Sequence, residues 1–196
     1  MASDIFSDIS ELEKYLQLPE GFYQQLYKEE DWSFLIKLNA LIEAACTHAL
    51  IACLHAPELI DSFANIDLGN AKYGKVIMLR KLNALTSEQA KILQLLYEMR
   101  NSVAHNVAKV SFTFKSHLAG LDKQQRSSFI KRIGHGIADS ISVGNKSISR
   151  DEFVISNPKI SLWMTTAEII ACLYLENEIA EIQLQKLAVE KFSTWG

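Results

Sequence analysis

The chain has 196 residues, 48% of them hydrophobic, with only eight glycines and three prolines. That suffices for one compact core and excludes collagen-like, low-complexity and linker-dominated chains. The net charge of -3 is unevenly spread: residues 1–69 carry -9, residues 70–150 carry +10 and residues 151–196 carry -4.

A basic middle between acidic ends implies an anionic partner if the basic segment gathers in space. Alternatively, acidic and basic helices pair within the bundle or across a dimer. Asp4, Asp8, Glu11 and Glu13 stand where a secretory leader would be basic and then apolar. Apolar runs such as Ala49 to Leu54 fall short of the roughly 18 residues of a membrane span. Three widely spaced cysteines (Cys46, Cys53, Cys172) suggest reduced thiols. The expectation is a cytoplasmic protein with no membrane contact.

Helical periodicity dominates. Ser10 with Glu13, or Asp8 with Glu11, has capping-box spacing, so a first short helix is predicted near residue 8. Pro19 opens a second helix to about Lys28. Asp31 is read as the cap of a long helix ending before Pro57, apolar on most of its circumference from Leu38 to Leu54 and therefore central. A short helix from Pro57 to about Ala64, a loop over 67–70 and a helix over about 71–85 follow. Thr86 with Gln89 caps a helix from Ser87 to about His105. Val110, Phe112 and Phe114 alternate with polar residues, which predicts a short strand or extended segment. The stretch Leu121 to Ala138 reads as a helix weakened by Gly134 and Gly136, and residues 140–157 as a surface excursion with a Gly144-Asn145 hairpin turn. Pro158 begins a last helix to about Phe192, some ~50 Å long, which must bend or reach a partner. The fold class is all-α: a single-domain helical bundle over 1–196 with a small extended or hairpin excursion.

Several motifs carry less than they first suggest. Gly69 to Lys75 fits G-x-x-x-x-G-K, but Val76 stands where the metal-binding Ser or Thr belongs, and no buried strand precedes it. A loop entering a helix, with Lys72 and Lys75 solvated, explains the same residues. Cys46-x-His48 and Cys53-x-His55 cannot each grip one ion, because residues two apart on a helix diverge; no metal and no cofactor is expected. No serine triad and no helix-turn-helix with an exposed recognition helix stand out. Glu43 is an acid inside the most apolar helix and needs a cation, for which Arg100, Lys75 and His105 are the candidates.

The strongest local pattern is Arg100-Asn101-Ser102-Val103-Ala104-His105 at a helix end. Asn101 and His105 share a face, whereas Arg100 diverges from His105 by about 140° on an ideal helix. They meet on one ligand only if the helix end distorts or a two-fold axis joins two copies. Otherwise they are surface residues.

This motif, late in a helix and preceded by the long helix from Asp31, resembles the R-x4–6-H signature of the HEPN superfamily. The run from Trp32 to His105 is most similar to its mannitol operon repressor type and related bacterial proteins. The resemblance covers about 30–115 and part of the last helix (about 158–192), leaving 116–157 as an insertion. It implies a dimeric helical bundle whose paired motifs line a cleft, with RNA as substrate and metal-independent endoribonuclease activity of toxin or defence type in many members. Arg100, Asn101 and His105 would be the catalytic positions, with Glu43 and Lys75 supporting. His105 exchanges the proton, Arg100 holds the phosphate and Asn101 orients either group. Lys109, Lys115, Lys123, Arg126, Lys131 and Arg132 continue the basic segment as candidate RNA contacts. The competing expectations are a non-catalytic regulator like the mannitol operon repressor, with a protein regulator or antitoxin as partner, and a purely structural dimerisation bundle.

Overall fold

A computed structural model describes residues 4–104, 109–143 and 146–193. Among these the protein is all-α apart from one two-stranded hairpin. Helix α3 (Asp31–Leu54) is the axis of the bundle. Phe34, Leu35, Leu38, Ile42, Ala49 and Leu50 on it are all fully buried, each large side chain contributing about 1.5–3 kcal/mol. It is covered by α10 (Pro158–Ser193) on one side, and by α5 (Lys75–Lys81) and α6 (Ser87–Ala104) on another. Its left-handed His55 ends it just before Pro57. By length and composition α3 is long and apolar enough to cross a membrane, which short apolar runs alone did not suggest. Yet 67% of its most apolar window is buried inside the protein, as a central core helix requires.

The N-terminus strings α1 (Ile5–Tyr15) and α2 (Phe22–Leu26) across α10 and α3. Asp4, not Asp8 or Ser10, caps α1. Glu13 is spent differently: its carboxylate accepts the Gly21 and Tyr23 N–H groups at 2.9 and 2.7 Å, tying α1 to α2. Tyr23 then stacks on Trp163 and accepts its indole N–H through the backbone carbonyl. Asp31 is the first helical residue rather than the cap. Its carboxylate accepts the Phe114 N–H at 2.9 Å and pairs with Lys159 at 3.5 Å.

A 3-10 turn (Pro57–Leu59) and α4 (Ile60–Ala64) precede the loop into α5. That helix begins only at Lys75 because the Asp67 and Leu68 carbonyls capture the Lys75 and Val76 N–H groups, folding the loop under it. The Thr86–Gln89 capping box forms in both directions, at 2.9 and 3.2 Å.

Residues 110–114 form no strand. Thr113 caps α7 (Phe114–Gly120), and Phe112 and Phe114 make an edge-on pair that continues onto Phe34. Their alternation served aromatic packing, not a sheet. The predicted helix over 121–138 is shorter, α8 (Lys123–Ile133), started by an Asp122–Gln125 capping box and ended at Gly134. Strands β1 (Ser140–Val143) and β2 (Lys146–Ser149) pair antiparallel with Ile141 opposite Ile148. The Gly144-Asn145 turn itself lies outside the described residues. A Ser149–Glu152 capping box then starts α9 (Arg150–Ser156), which packs with α8 on α10.

Helix α10 has 36 residues, about 54 Å at 1.5 Å each. Its first half is core. From Glu181 to Glu190 every described residue is exposed, including Ile182, Leu184, Leu187 and Val189.

Candidate functional site

Arg100 and Asn101 lie one turn before the end of α6 and face α3. With Asn39 and Glu43 of α3, Tyr97 of α6 and Asp67 and Leu68 of the loop, they line a cavity of about 250 Å3. The loop reaches this cavity through two glycines. A Cβ on Gly74 would stand 2.5–2.9 Å from the Asn70 and Leu68 backbone, and one on Gly69 would stand 2.3 Å from the Tyr97 ring. Close approach, not phosphate binding, explains the G-x-x-x-x-G-K spacing. Lys72 is exposed, but Lys75 is wholly buried rather than solvated. Its ammonium donates to the Ala64 carbonyl at 3.1 Å and to Glu43 Oε1 at 3.3 Å. The cation that Glu43 needs is therefore Lys75.

Both carboxylates on the cavity wall already have partners. Glu43 holds Lys75, and Asp67 accepts the Tyr97 hydroxyl at 2.5 Å and the Gly69 N–H at 2.9 Å. The bond to Asp67 holds the Tyr97 phenol above its ordinary pKa. Arg100 is left with a neutral neighbour, donating to Asn101 Oδ1 at 2.9 Å. Among the described residues its guanidinium forms no ion pair. Such a group in a polar cavity suits an incoming anion.

Asn39 escaped sequence reasoning. It is 4% exposed, its Nδ2 donates to the Leu35 carbonyl at 2.9 Å, and its Oδ1 has no partner among the described residues. An orphaned acceptor of this kind costs about 1–3 kcal/mol. Its signal was a lone amide one turn before Glu43 in an apolar helix.

His105 lies outside the described residues. The six basic residues do not line the Arg100 cavity. Lys131 and Arg132 line a cavity of about 510 Å3 with Lys91, His135 and Arg150. It joins a larger one of about 610 Å3, floored by Leu95, Met99 and Phe129, through shared Ser128 and Arg132. Lys115 lines a third cavity, beside Lys159. Lys109, Lys123 and Arg126 are exposed. On an ideal helix Leu95, Met99 and Ser102 project about 180° away from Tyr97, Arg100 and Asn101. The basic groove and the Arg100 cavity thus use opposite faces of α6.

Burial pushes the Cys46 thiol up to about 12 and Cys53 up to about 11, the latter donating to Glu176. His48 sits edge-on against Tyr15. Among the described residues no three His, Cys, Asp or Glu side chains stand together as a metal site. Comparison of the chain with protein-family models, with curated proteins and with solved structures finds no match in any of the three.

Proposed function

We propose that this chain is an RNA-binding protein of HEPN type whose Arg100–His105 motif supports metal-independent endoribonuclease chemistry in a homodimer. The observation that carries this reading is the Arg100 guanidinium beside Asn101, which forms no ion pair among the described residues, in a cavity where Lys75 neutralises Glu43 and hydrogen bonds hold Asp67. It fits a phosphate whose charge grows as the 2′-OH attacks phosphorus. His105 would take the 2′-OH proton or protonate the departing 5′ oxygen. The P–O5′ bond breaks, giving a 2′,3′-cyclic phosphate and a 5′-OH. The groove of Lys131, Arg132 and His135, on the opposite face of α6, would give the strand separate, sequence-tolerant backbone contacts. Three free cysteines fit a reducing, cytoplasmic setting.

A second reading, the non-catalytic regulator, draws on the exposed apolar end of α10, which suits a protein contact. A native and a 2′-deoxy RNA, tested with wild type, Arg100→Ala and His105→Ala, separate the two. Arg100→Ala should lose binding and cleavage, and His105→Ala cleavage alone, with EDTA without effect. Equal cleavage of both strands overturns the chemistry. Failure to bind either at about 50 mM salt overturns the RNA reading and favours the regulator.

A further inference from the structure

We propose that the groove between α6 and α8 is a nucleotide site. It takes a nucleoside 5′-monophosphate, free or as one unit of a strand, with the phosphate on Arg132 and the base over Leu95. The inference goes beyond the RNA reading above, because this groove lies on the opposite face of α6 from Arg100 and its occupancy requires no cleavage.

Lys91, Leu95, Glu98 and Ser102 follow one another at three- and four-residue steps on α6, so they form one stripe along the helix. Ser128 and Arg132 face them from α8, one turn apart, and both line the cationic and the apolar cavity. The two cavities are therefore one groove with unlike ends. At the cationic end Glu88 holds Lys91 at 2.7 Å and Asp139 holds Arg150 at 2.9 Å. Lys131 and Arg132 form no ion pair among the described residues, which leaves both charges for an anion. Glu98 and Asp122 line only the other end and repel one, so the phosphate has a single place to sit. The apolar floor is within a ligand's reach: Leu95, Leu121 and the His117 ring are partly exposed, while Met99 and Phe129 behind them are buried. Burial keeps His117 below its ordinary pKa, so its ring is neutral near pH 7 and adds no charge there.

A matching ligand carries an anion beside a body with apolar faces. Ser102, Gln124 and Ser128 border the floor with hydroxyl and amide groups, so that body also needs polar edges. A base on a phosphorylated sugar has these parts in this order. An alkyl phosphate lacks the polar edges, and inorganic phosphate lacks the body. The apolar part alone, at about 610 Å3, lies within the roughly 300–1,000 Å3 of small-molecule sites, and the cationic part adds about 510 Å3. Base, sugar and phosphate fit together.

Calorimetric titration of the full chain with adenosine 5′-monophosphate, adenosine and inorganic phosphate tests this. The monophosphate should bind about tenfold tighter than either part. Arg132→Ala should bring it down to the adenosine level, and Leu95→Asp to the phosphate level. Lys131→Ala, at an exposed position, should weaken it severalfold and decides the matter if the other two variants do not fold. A monophosphate bound no tighter than phosphate or adenosine, or not bound up to about 1 mM, overturns the proposal. So does unchanged affinity in Arg132→Ala and Lys131→Ala. Loss with Arg100→Ala in their place seats the nucleotide in the opposite cavity and overturns it too. An RNA oligomer titrated with and without saturating monophosphate separates the two sources. Displaced RNA means that the groove seats a nucleotide of the strand, and undisturbed RNA that it holds a free one. Monophosphate bound with no RNA bound sinks the RNA reading and spares this site. RNA bound with no monophosphate bound does the reverse.

Discussion

Lys75 and Glu43 form an unequal pair: the lysine side chain is wholly buried and the glutamate 42% exposed, with 3.3 Å between them. The two ends should therefore respond differently to mutation. Glu43→Gln strands a buried ammonium and should cost about 3 kcal/mol. Lys75→Met removes the buried charge and leaves a carboxylate that water reaches, for about 1 kcal/mol. Urea unfolding of both variants measures the difference. A larger loss for Lys75→Met would mean that the bond to Ala64, not the ion pair, anchors α5.

Gly69→Ala should damage the cavity without replacing any of its polar side chains. The new methyl would meet Tyr97 at 2.3 Å, so the ring must shift and its bond to Asp67 must stretch or break. Overpacking of this kind costs about 1–3 kcal/mol. The thermal midpoint should fall, and a Gly69→Ala, Tyr97→Ala double variant should recover part of the loss. Simple addition of the two effects would refute the clash.

Two histidines should make the fold acid-sensitive. Burial holds the His48 imidazole below its ordinary pKa, and burial, then Lys109, does the same to His117 among Phe112 and Phe129. Each takes up its proton more readily unfolded, at about 6.5, than folded. Stability is thus intact above that pH and declines as pH falls through it, until the folded imidazoles are themselves protonated. Unfolding midpoints measured from pH 7.5 to 5 should show this slope, and a His48→Gln, His117→Gln variant should flatten it. An unchanged slope would assign the acid sensitivity to the carboxylates.

Removal of residues 182–196 should leave the bundle folded, because Ile182, Leu184, Leu187 and Val189 are all exposed and none belongs to its core. If α10 carries the proposed dimer, light scattering at micromolar concentration should report a dimer for the whole chain and about half that mass for the truncated one. Equal association of both would move the interface elsewhere.

Where one local rule decided the structure, the sequence was readable. Apolar periodicity placed α3 at the centre, and the Thr86–Gln89 box placed the start of α6. Where two rules competed, tertiary contact chose. Phe112 and Phe114 had strand spacing, but Phe34 gave them an aromatic partner and Thr113 a helix to cap. The start of α9 was written in Ser149 and Glu152, though a polar stretch with a turn reads first as loop. Glu43 announced itself as a charge in an apolar helix. Asn39 obeyed the same logic more quietly, since an amide has no charge to balance and shows its unmet acceptor only once its neighbours are placed. Asp67 met Tyr97 across 30 residues, a separation that no periodicity encodes.

Beyond Glu181, the residues of α10 up to Glu190 are all exposed. The twelve residues 182–193 are marginal as a helix alone in water, where nucleation is costly and helices shorter than about 12–15 residues barely hold. Continuity with the anchored half removes the nucleation cost but not the fraying. The order of this arm is therefore coupled to whatever covers Ile182, Leu184, Leu187 and Val189. Far-UV dichroism should gain helical signal as concentration rises, and proteases should trim the arm fastest in dilute solution, so the arm reports its own occupancy.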